Sequence, residues 1–253
     1  MAPLQRENEQ DDPEEAKGCV VDEYEGLEHI VVPSSGSEGF DIRCFKQTEI
    51  ILENTATGHQ RTFPKLFISI EPHLSIILNI LEREWVAHLL QMSESRWVSS
   101  QTSRGLASAP PDEYSTQVSR TRRSQSAVFG YGETPTIAEI EQRVALIARV
   151  DVKHLERLVM VKYHPGDYFK EHHDGPFRSH TILIYLNDVE GGETVFPSLN
   201  LAVKPIGNSG LYWRNTTEDG RADFRMVHAG TSPKMGTKYV VNCFFNFAAV
   251  RDQ

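Results

Sequence analysis

The sequence has few cysteines, no long apolar run and no leader-like start. Its 253 residues hold three scattered cysteines, Cys19, Cys44 and Cys243, without a CxxC pair. This excludes a disulfide framework or a zinc ribbon and suits a reducing compartment. No run of eighteen apolar residues occurs, so we expect no membrane span. The acidic start, MAPLQRENEQDDPEEAKG, lacks the basic and apolar regions of a secretory signal, which predicts a cytoplasmic protein.

Clustered positive charge is scarce as well. The formal net charge of −9 argues against nucleic-acid binding, because phosphate recognition needs grouped Lys and Arg. The one basic cluster is Arg120-Thr121-Arg122-Arg123. We favour a solvated loop for this cluster, and contact with an acidic partner is the alternative.

The chain changes character along its length. Residues 1–22 are polar and charge-rich, which predicts a disordered acidic N-terminus. The remainder, 23–253, is predicted to form one domain. Within it, 23–63 is a β-like N-terminal extension, 64–150 contains the helices, and 151–253 consists of successive short strands.

Two helices are predicted in the middle part. The first runs from about Asn79 to Met92, with Asn79 as its N-cap. The second begins near Thr136, where Thr136-x-x-Glu139 is typical of a capping box. It has one apolar stripe that predicts core packing, formed by Ile137, Ile140, Val144 and Ile147. Between the helices, residues 99–126 lack periodicity and are predicted to be a mobile loop, with a lid or an insertion without function as the alternatives.

The C-terminal part predicts the fold class. Short strands bounded by Gly, Pro, Asn or Asp follow one another from Glu156 to Ala248, without a βαβ alternation. This pattern is typical of a sandwich or jelly roll. We therefore predict an α+β fold with a double-stranded β-helix core and the N-terminal helices packed on one face.

A candidate metal site lies in the segment YHPGDYFKEHHD. Residues i and i+2 of a strand point to the same side, so His172 and Asp174 would project together while His173 points away. His228, in a later strand, is the candidate for a third ligand. Two imidazoles and one carboxylate leave open coordination positions and suit a non-haem Fe(II) site that activates oxygen. His-x-Asp alone is a weak signal, and a surface turn is its alternative.

Lys238 strengthens this interpretation. It lies inside a predicted strand, KYVVNCFF, where a buried cation costs several kcal/mol unless it meets an anion. A dicarboxylic co-substrate would supply that anion, with one end on the metal and the other on Lys238. The alternative is a lysine that reaches solvent from an edge strand.

Four motifs in this order resemble the prolyl 4-hydroxylase branch of the 2-oxoglutarate- and iron-dependent dioxygenases. They are Tyr163-x-x-Gly166 followed by His172-x-Asp174, Arg178-x-x-Thr181-x-x-x-Tyr185-Leu186-Asn187, Gly191-Gly192-Glu193-Thr194-x-Phe196-Pro197, and His228-Ala229-Gly230 through Gly236-x-Lys238. The resemblance extends from about Pro64 to Phe247.

The resemblance implies a reaction and roles for individual residues. The implied requirements are Fe(II), 2-oxoglutarate and O2, with ascorbate (vitamin C) as reductant, and 2-oxoglutarate is decarboxylated to succinate as the substrate is hydroxylated. The iron ligands and catalytic residues would be His172, Asp174 and His228. The co-substrate would contact Lys238, Tyr163, Tyr185 and Thr181.

The substrate is the least determined part. The resemblance favours a prolyl residue in a peptide or protein, and a small molecule such as a free amino acid or natural-product scaffold is the alternative. A metal-bound β-barrel that scaffolds without turnover is a third interpretation. Candidate substrate residues are Arg178, Trp213 and Phe244, although Arg178 could brace its strand and both aromatics could pack in the core. Tyr239 and Phe244 replace tryptophans common in the family, which leaves the substrate open.

Overall fold

The computed structural model describes residues 28–30, 46–53, 60–104, 115–117 and 121–251. The segment predicted to be disordered, residues 1–22, lies outside this described part. In the described part of the chain, neither α-helix has the length and apolar character needed to cross a membrane.

The described part contains nineteen strands and two α-helices. In chain order they are β1 (Glu28–Ile30), β2 (Lys46–Glu53), β3 (Gln60–Ser69), β4 (Leu74–Leu78), α1 (Arg83–Ser93), β5 (Val98–Ser99), β6 (Thr102–Arg104), β7 (Ser115–Gln117), β8 (Arg122–Arg123), β9 (Gln125–Val128), α2 (Pro135–Ala148), β10 (Val159–Tyr163), β11 (Tyr168–His172), β12 (Arg178–Tyr185), β13 (Glu190–Gly191), β14 (Thr194–Phe196), β15 (Leu201–Val203), β16 (Ser209–Arg214), β17 (His228–Gly230), β18 (Pro233–Met235) and β19 (Lys238–Asn246).

Two main sheets form the body of the domain. The larger has nine antiparallel strands in the order β2-β3-β4-β16-β12-β19-β10-β9-β5, and the smaller has six in the order β1-β15-β14-β17-β11-β8. The two sheets are not hydrogen-bonded into a closed barrel within the described residues. They instead form a double layer.

The larger sheet separates two cores. Ile182 and Ile184 of β12 belong to the core beneath the helices, whereas Leu183 and Tyr185 belong to the core between the two sheets. This alternation follows from the period of two in a strand. Because both faces are buried, the central strands are almost continuously apolar.

The first helix begins later than the sequence predicts. Asn79 has a left-handed backbone, with φ of 57°, and lies in the bend before the helix. The N-cap of α1 is Glu82, whose side chain makes no capping hydrogen bond. Asn79 was therefore the wrong N-cap, because asparagine also tolerates the left-handed turn that the chain makes there.

The second helix begins one residue before the predicted start and is capped differently. Its N-cap is Thr134, whose side chain accepts a hydrogen bond from the Ile137 amide, and Pro135 occupies the first turn. The capping box at Thr136 was wrong, since proline at the first position already sets the helical backbone. The predicted stripe is confirmed: Ile137, Ile140, Val144 and Ile147 are all buried.

The described residues of the predicted loop at 99–126 form short strands. β5 and β9 extend the larger sheet, β8 is the edge of the smaller sheet, and β6 pairs with β7. The prediction was wrong for the described residues because these strands are two to four residues long, too short to show periodicity. Residues 105–114 and 118–120 lie outside the described part.

The N-terminal extension is continuous with the core sheet. β2 pairs with β3, which pairs with β4 in the middle of the domain. β3 runs through Pro64. Pro64 faces Glu49 of β2 and precedes Lys65, the first residue of β3 that pairs with β4. The missing N–H of Pro64 is therefore tolerated.

Candidate metal centre

Two neighbouring strands of the smaller sheet hold the metal-binding candidates. His172 ends β11, His228 begins β17, and the two residues face each other in the antiparallel pairing. Asp174 lies beyond the end of β11, so the expectation of one strand carrying both His172 and Asp174 was wrong. The chain turns at Gly175, which has a φ of 105°, and this turn brings the carboxylate back beside the imidazoles.

The three side chains converge on one point. Asp174 Oδ1 lies 3.9 Å from His172 Nε2 and 3.8 Å from His228 Nε2. The ligand atoms of all three groups lie within 4.8 Å of one another. A single ion between them could therefore bind all three, and two imidazoles with one carboxylate are the donors that suit Fe(II).

Backbone carbonyls orient both imidazoles. His172 Nδ1 lies 2.8 Å from the Lys170 carbonyl oxygen, and His228 Nδ1 lies 3.0 Å from that of Met226. A carbonyl can only accept, so each Nδ1 donates its proton and each Nε2 keeps a lone pair for a metal. Burial, followed by the proximity of His228, lowers the pKa of His172 to about 3, so its ring is neutral at pH 7.

The carboxylate of Asp174 is held from the opposite side. Thr181 Oγ1 donates to Oδ2 at 2.6 Å, and Asn215 Nδ2 donates to Thr181 Oγ1 at 3.0 Å. Burial would raise the pKa of Asp174, but His228, His172, Arg178 and the Thr181 hydroxyl together lower it. The group is thus an anion whose Oδ1 remains directed at the two histidines.

His173 lies outside this cluster. Its Nε2 is 3.0 Å from the Asn215 carbonyl oxygen, and its Nδ1 accepts from the Gly175 amide at 3.0 Å. Both ring nitrogens are thus occupied by backbone groups, one of them in the turn that delivers Asp174. His173 therefore has a structural position next to the candidate site.

A cavity of about 690 Å³ opens onto the three ligands and also onto Lys238 and Tyr163. Lys238 begins β19, is only 2% exposed, and donates from Nζ to the Gly192 carbonyl oxygen at 2.6 Å. Burial lowers the pKa of Lys238 to about 7, an effect that Glu193 partly opposes. A side chain at Gly192 would press on the stem of Lys238, so the glycine makes room for the lysine.

Of the other predicted co-substrate residues, the two tyrosines lie near Lys238, whereas Thr181 contacts Asp174. Lys238 Nζ lies 5.3 Å from the ring centroid of Tyr163 and 5.4 Å from that of Tyr185. The Tyr185 hydroxyl donates to Thr194 at 2.7 Å, and Thr194 lines the cavity. Thr181 is fully buried against Asp174, so its contact is with a metal-ligand candidate.

The three substrate candidates all line the cavity. Arg178 makes two hydrogen bonds to Glu156, at 2.7 and 2.8 Å, and its guanidinium carbon lies 3.8 Å from the Phe244 ring centroid. Trp213 is 1% exposed, packs edge-on against His228 and donates to Asn215 at 2.8 Å. Arg178 and Phe244 thus form one wall, whereas Trp213 belongs mainly to the core.

Two residues of the site were missed by the sequence reasoning. Asn215 supports both Thr181 and His173, and Glu156 holds Arg178 together with Asn246, whose Nδ2 donates to Glu156 at 2.6 Å. Neither residue stands in a local pattern that points to a metal site. Their roles depend on contacts with residues that are distant in the chain.

The two histidines, the carboxylate and the cavity beside them suit a non-haem Fe(II) enzyme. Comparison with known sequences agrees with this class. The sequence model of the 2OG-Fe(II) oxygenase superfamily matches residues 158–246, which include all three candidate ligands and Lys238. The probable prolyl 4-hydroxylase 10 of Arabidopsis thaliana is 30% identical over 203 residues, which cover 68% of each chain. The chain belongs to the prolyl 4-hydroxylase family of the 2-oxoglutarate- and Fe(II)-dependent oxygenases.

Some relatives are matched over a smaller share of their length. The prolyl 4-hydroxylase subunit alpha-2 of Gallus gallus is 28% identical over 188 residues, which cover 69% of this chain and 34% of the relative. The chain thus spans about a third of that subunit.

Solved structures confirm the predicted fold class. The viral collagen prolyl hydroxylase of Paramecium bursaria Chlorella virus-1, in its 2-oxoglutarate complex, superimposes with a TM-score of 0.52 at 23% identity, covering 68% of this chain and 94% of that chain. A Trichoplax adhaerens prolyl hydroxylase in complex with a hypoxia inducible factor peptide gives 0.50 at 20% identity, covering 68% and 83%. At these identities the likeness concerns the fold alone.

Proposed function

We propose that this protein hydroxylates a prolyl residue in a peptide or protein, with decarboxylation of 2-oxoglutarate to succinate. The observation that carries the proposal is the cavity that contains His172, Asp174, His228 and Lys238 together. A buried lysine opposite a two-histidine, one-carboxylate cluster suits a co-substrate with a carboxylate at each end. The relatives named as prolyl 4-hydroxylases support the choice of substrate.

The proposed metal is Fe(II), held by Nε2 of His172, Nε2 of His228 and Oδ1 of Asp174. When bound, it would supply the activation of O2. Thr181 keeps the Asp174 carboxylate in place through its 2.6 Å hydrogen bond. Lys238, with Tyr163 beside it, would bind the distal carboxylate of 2-oxoglutarate, which also offsets the cost of burying the lysine.

The substrate would enter beside Arg178 and Phe244. Arg178 is held by Glu156 and packed on the Phe244 ring, so its guanidinium is fixed before a ligand arrives. A fixed donor next to the metal site can orient a peptide carbonyl at low entropic cost. Ascorbate as reductant and a cytoplasmic location are further parts of this proposal.

The test is an aerobic incubation with Fe(II), 2-oxoglutarate and ascorbate, offering proline-containing peptides in one set and free amino acids in another. Mass spectrometry then detects the gain of one oxygen atom, and succinate is quantified in parallel. We expect oxygen in the peptides. Oxygen only in free amino acids would favour the small-molecule alternative and refute the proposal.

Two histidine variants separate a catalyst from a scaffold. His228→Ala should abolish succinate formation and weaken Fe(II) binding, because it removes one of three ligands. His173→Ala is the matched control, since His173 is the neighbouring histidine that lies outside the cluster, and it should retain Fe(II) binding. A wild-type protein that binds iron without consuming 2-oxoglutarate would point to the scaffold interpretation.

A further inference from the structure

The charges that line the cavity do not balance. Three cations, Arg122, Arg178 and Lys238, face one carboxylate, Asp174. Glu156 pairs with Arg178, and in the proposed function the distal carboxylate of 2-oxoglutarate pairs with Lys238. The Fe(II) dication is offset by Asp174 and the chelating carboxylate. The positive charge that remains is that of Arg122.

The Phe169 ring links Arg122 to the metal-ligand candidate His172. The guanidinium carbon of Arg122 is 4.6 Å from the ring centroid of Phe169, its cross-strand partner on β11. The Phe169 ring in turn stacks on His172 with 3.5 Å between centroids and 16° between planes. The guanidinium therefore forms the end of a stack that begins at the candidate metal site.

In the part of the chain that the structure describes, the hydrogen-bond partners of Arg122 are uncharged, and they include Tyr163. Nε donates to Ser124 Oγ at 3.1 Å, and one terminal nitrogen donates to the Gln101 carbonyl oxygen at 3.3 Å. Among the described residues, no carboxylate forms an ion pair with it. Hydrogen bonds to neutral oxygens orient the guanidinium and leave it without a carboxylate partner among the described residues.

Its neighbour Arg123 behaves differently. The Arg123 side chain is 70% exposed and its Nε lies 3.3 Å from Asp167 Oδ1. Successive residues of a strand point to opposite sides, so β8 sends Arg122 into the cavity wall and Arg123 into solvent. The basic cluster of the sequence thus divides into one solvated arginine and one cavity arginine.

A substrate that covers the cavity would remove water from Arg122. A guanidinium that loses water without gaining an anion is penalised, and a carboxylate matches its fork of donors with two parallel hydrogen bonds. An extended peptide advances about 3.3–3.6 Å per residue. A side chain within about three residues of the hydroxylated position can therefore reach across the Phe169 ring to Arg122.

We propose that Arg122 selects substrates with an aspartyl or glutamyl side chain within about three residues of the hydroxylated residue. This inference rests on the proposed function, because it assigns a substrate class to the same cavity. Arg122 is a specificity-determining residue in this assignment, and it touches the substrate away from the reacting carbon.

The test compares one proline-containing peptide in three versions, with Glu, Gln or Lys at each position up to three residues from the proline. The kcat/KM for oxygen gain is measured with wild type, R122Q, R122K, R122E and the matched control R123Q. KM for 2-oxoglutarate and thermal unfolding are measured for each variant. The full chain with Fe(II) is used throughout.

We expect wild type and R123Q to prefer the Glu peptide over the Gln peptide by about 10- to 100-fold at one or more positions. R122Q should reduce this preference to about twofold or less, R122K should retain part of it, and R122E should favour the Lys peptide. If R122Q unfolds, the peptide preferences of wild type and R122K still test whether Arg122 selects an acidic side chain.

Equal turnover of Glu, Gln and Lys peptides by wild type would overturn the inference while leaving prolyl hydroxylation in place. An unchanged preference in R122Q together with a higher KM for 2-oxoglutarate would also overturn it, because Arg122 would then serve the co-substrate. Absence of oxygen in every peptide, with oxygen found in free amino acids, would overturn the proposed function as well, and that pattern differs from the first two.

Discussion

Replacing Lys238 by methionine should change two properties in opposite directions. Methionine fills a similar volume without a charge, so it removes the amine with little change in packing. Lys238 is 2% exposed, and burial lowers its pKa from 10.5 to about 7. The variant should unfold at a higher temperature than wild type without ligand, and it should bind 2-oxoglutarate poorly.

The stability gain follows from the lowered pKa. A lysine whose folded-state pKa lies below its unfolded value destabilises the fold at every pH below the unfolded value, and the penalty grows as the pH falls from the unfolded pKa to the folded pKa. This penalty is complete below about pH 7 and disappears above about pH 10.5. The gap corresponds to about 4–5 kcal/mol at roughly 1.4 kcal/mol per pH unit. The gain of the variant should therefore be largest at or below pH 7 and should vanish towards pH 10.5.

The loss of affinity follows from the missing ion pair. A buried carboxylate left without its cation costs about 3–4 kcal/mol, so the dissociation constant of 2-oxoglutarate should rise by roughly two to three powers of ten. Calorimetric titration with Fe(II) under anaerobic conditions measures this constant, and thermal scans with and without ligand measure stability. Lys204→Met, at an exposed lysine, is the matched control and should change neither.

A Lys238→Met protein that unfolds at a lower temperature than wild type and still binds 2-oxoglutarate would contradict this prediction. Loss of both stability and binding would also contradict it, since that combination indicates misfolding.

Three further predictions concern protonation, ligand support and packing. Binding of 2-oxoglutarate should take up about half a proton at pH 7 and nearly one at pH 8, because the bound carboxylate needs a charged Lys238. Calorimetry in two buffers of different ionisation enthalpy measures this proton uptake. Binding without proton uptake would contradict the prediction. Thr181→Val should weaken Fe(II) binding about 10- to 100-fold by releasing Asp174, and unchanged affinity in a metal titration would count against that support. Ile140→Ala should cost about 2–4 kcal/mol of unfolding free energy in urea, whereas Leu146→Ala, at a 57% exposed site on the same helix, should cost less than about 0.5.

Local patterns predicted much of the fold. The stripe on α2 and the successive short strands from Glu156 onward correctly indicated helix packing and a sheet-rich core, because a period of 3.6 or 2 is set by backbone geometry alone. Helix ends were predicted less well. Asn79 and Thr136 both suit an N-cap, and the choice depended on a left-handed bend in one case and on Pro135 in the other.

In the candidate site too, some features were predicted from the sequence and others were not. His172, Asp174, His228 and Lys238 were named from residue type and spacing, because few side chains can supply metal ligands or a buried cation. The support for those groups was not predicted. Thr181 was expected at the co-substrate, yet its hydroxyl donates to Asp174, and Glu156 was not considered at all.

The amino-acid sequence is enough to predict which chemical groups this protein can bring to a reaction and that its fold is rich in sheet. It is enough because ligand type and strand period are properties of short segments. Tertiary structure alone decided that His172 faces His228 across two strands, that Thr181 holds Asp174, and that Arg122 joins the cavity while Arg123 faces water. These contacts join residues far apart in the chain or choose between neighbours of one type, so they depend on how the sheets pack.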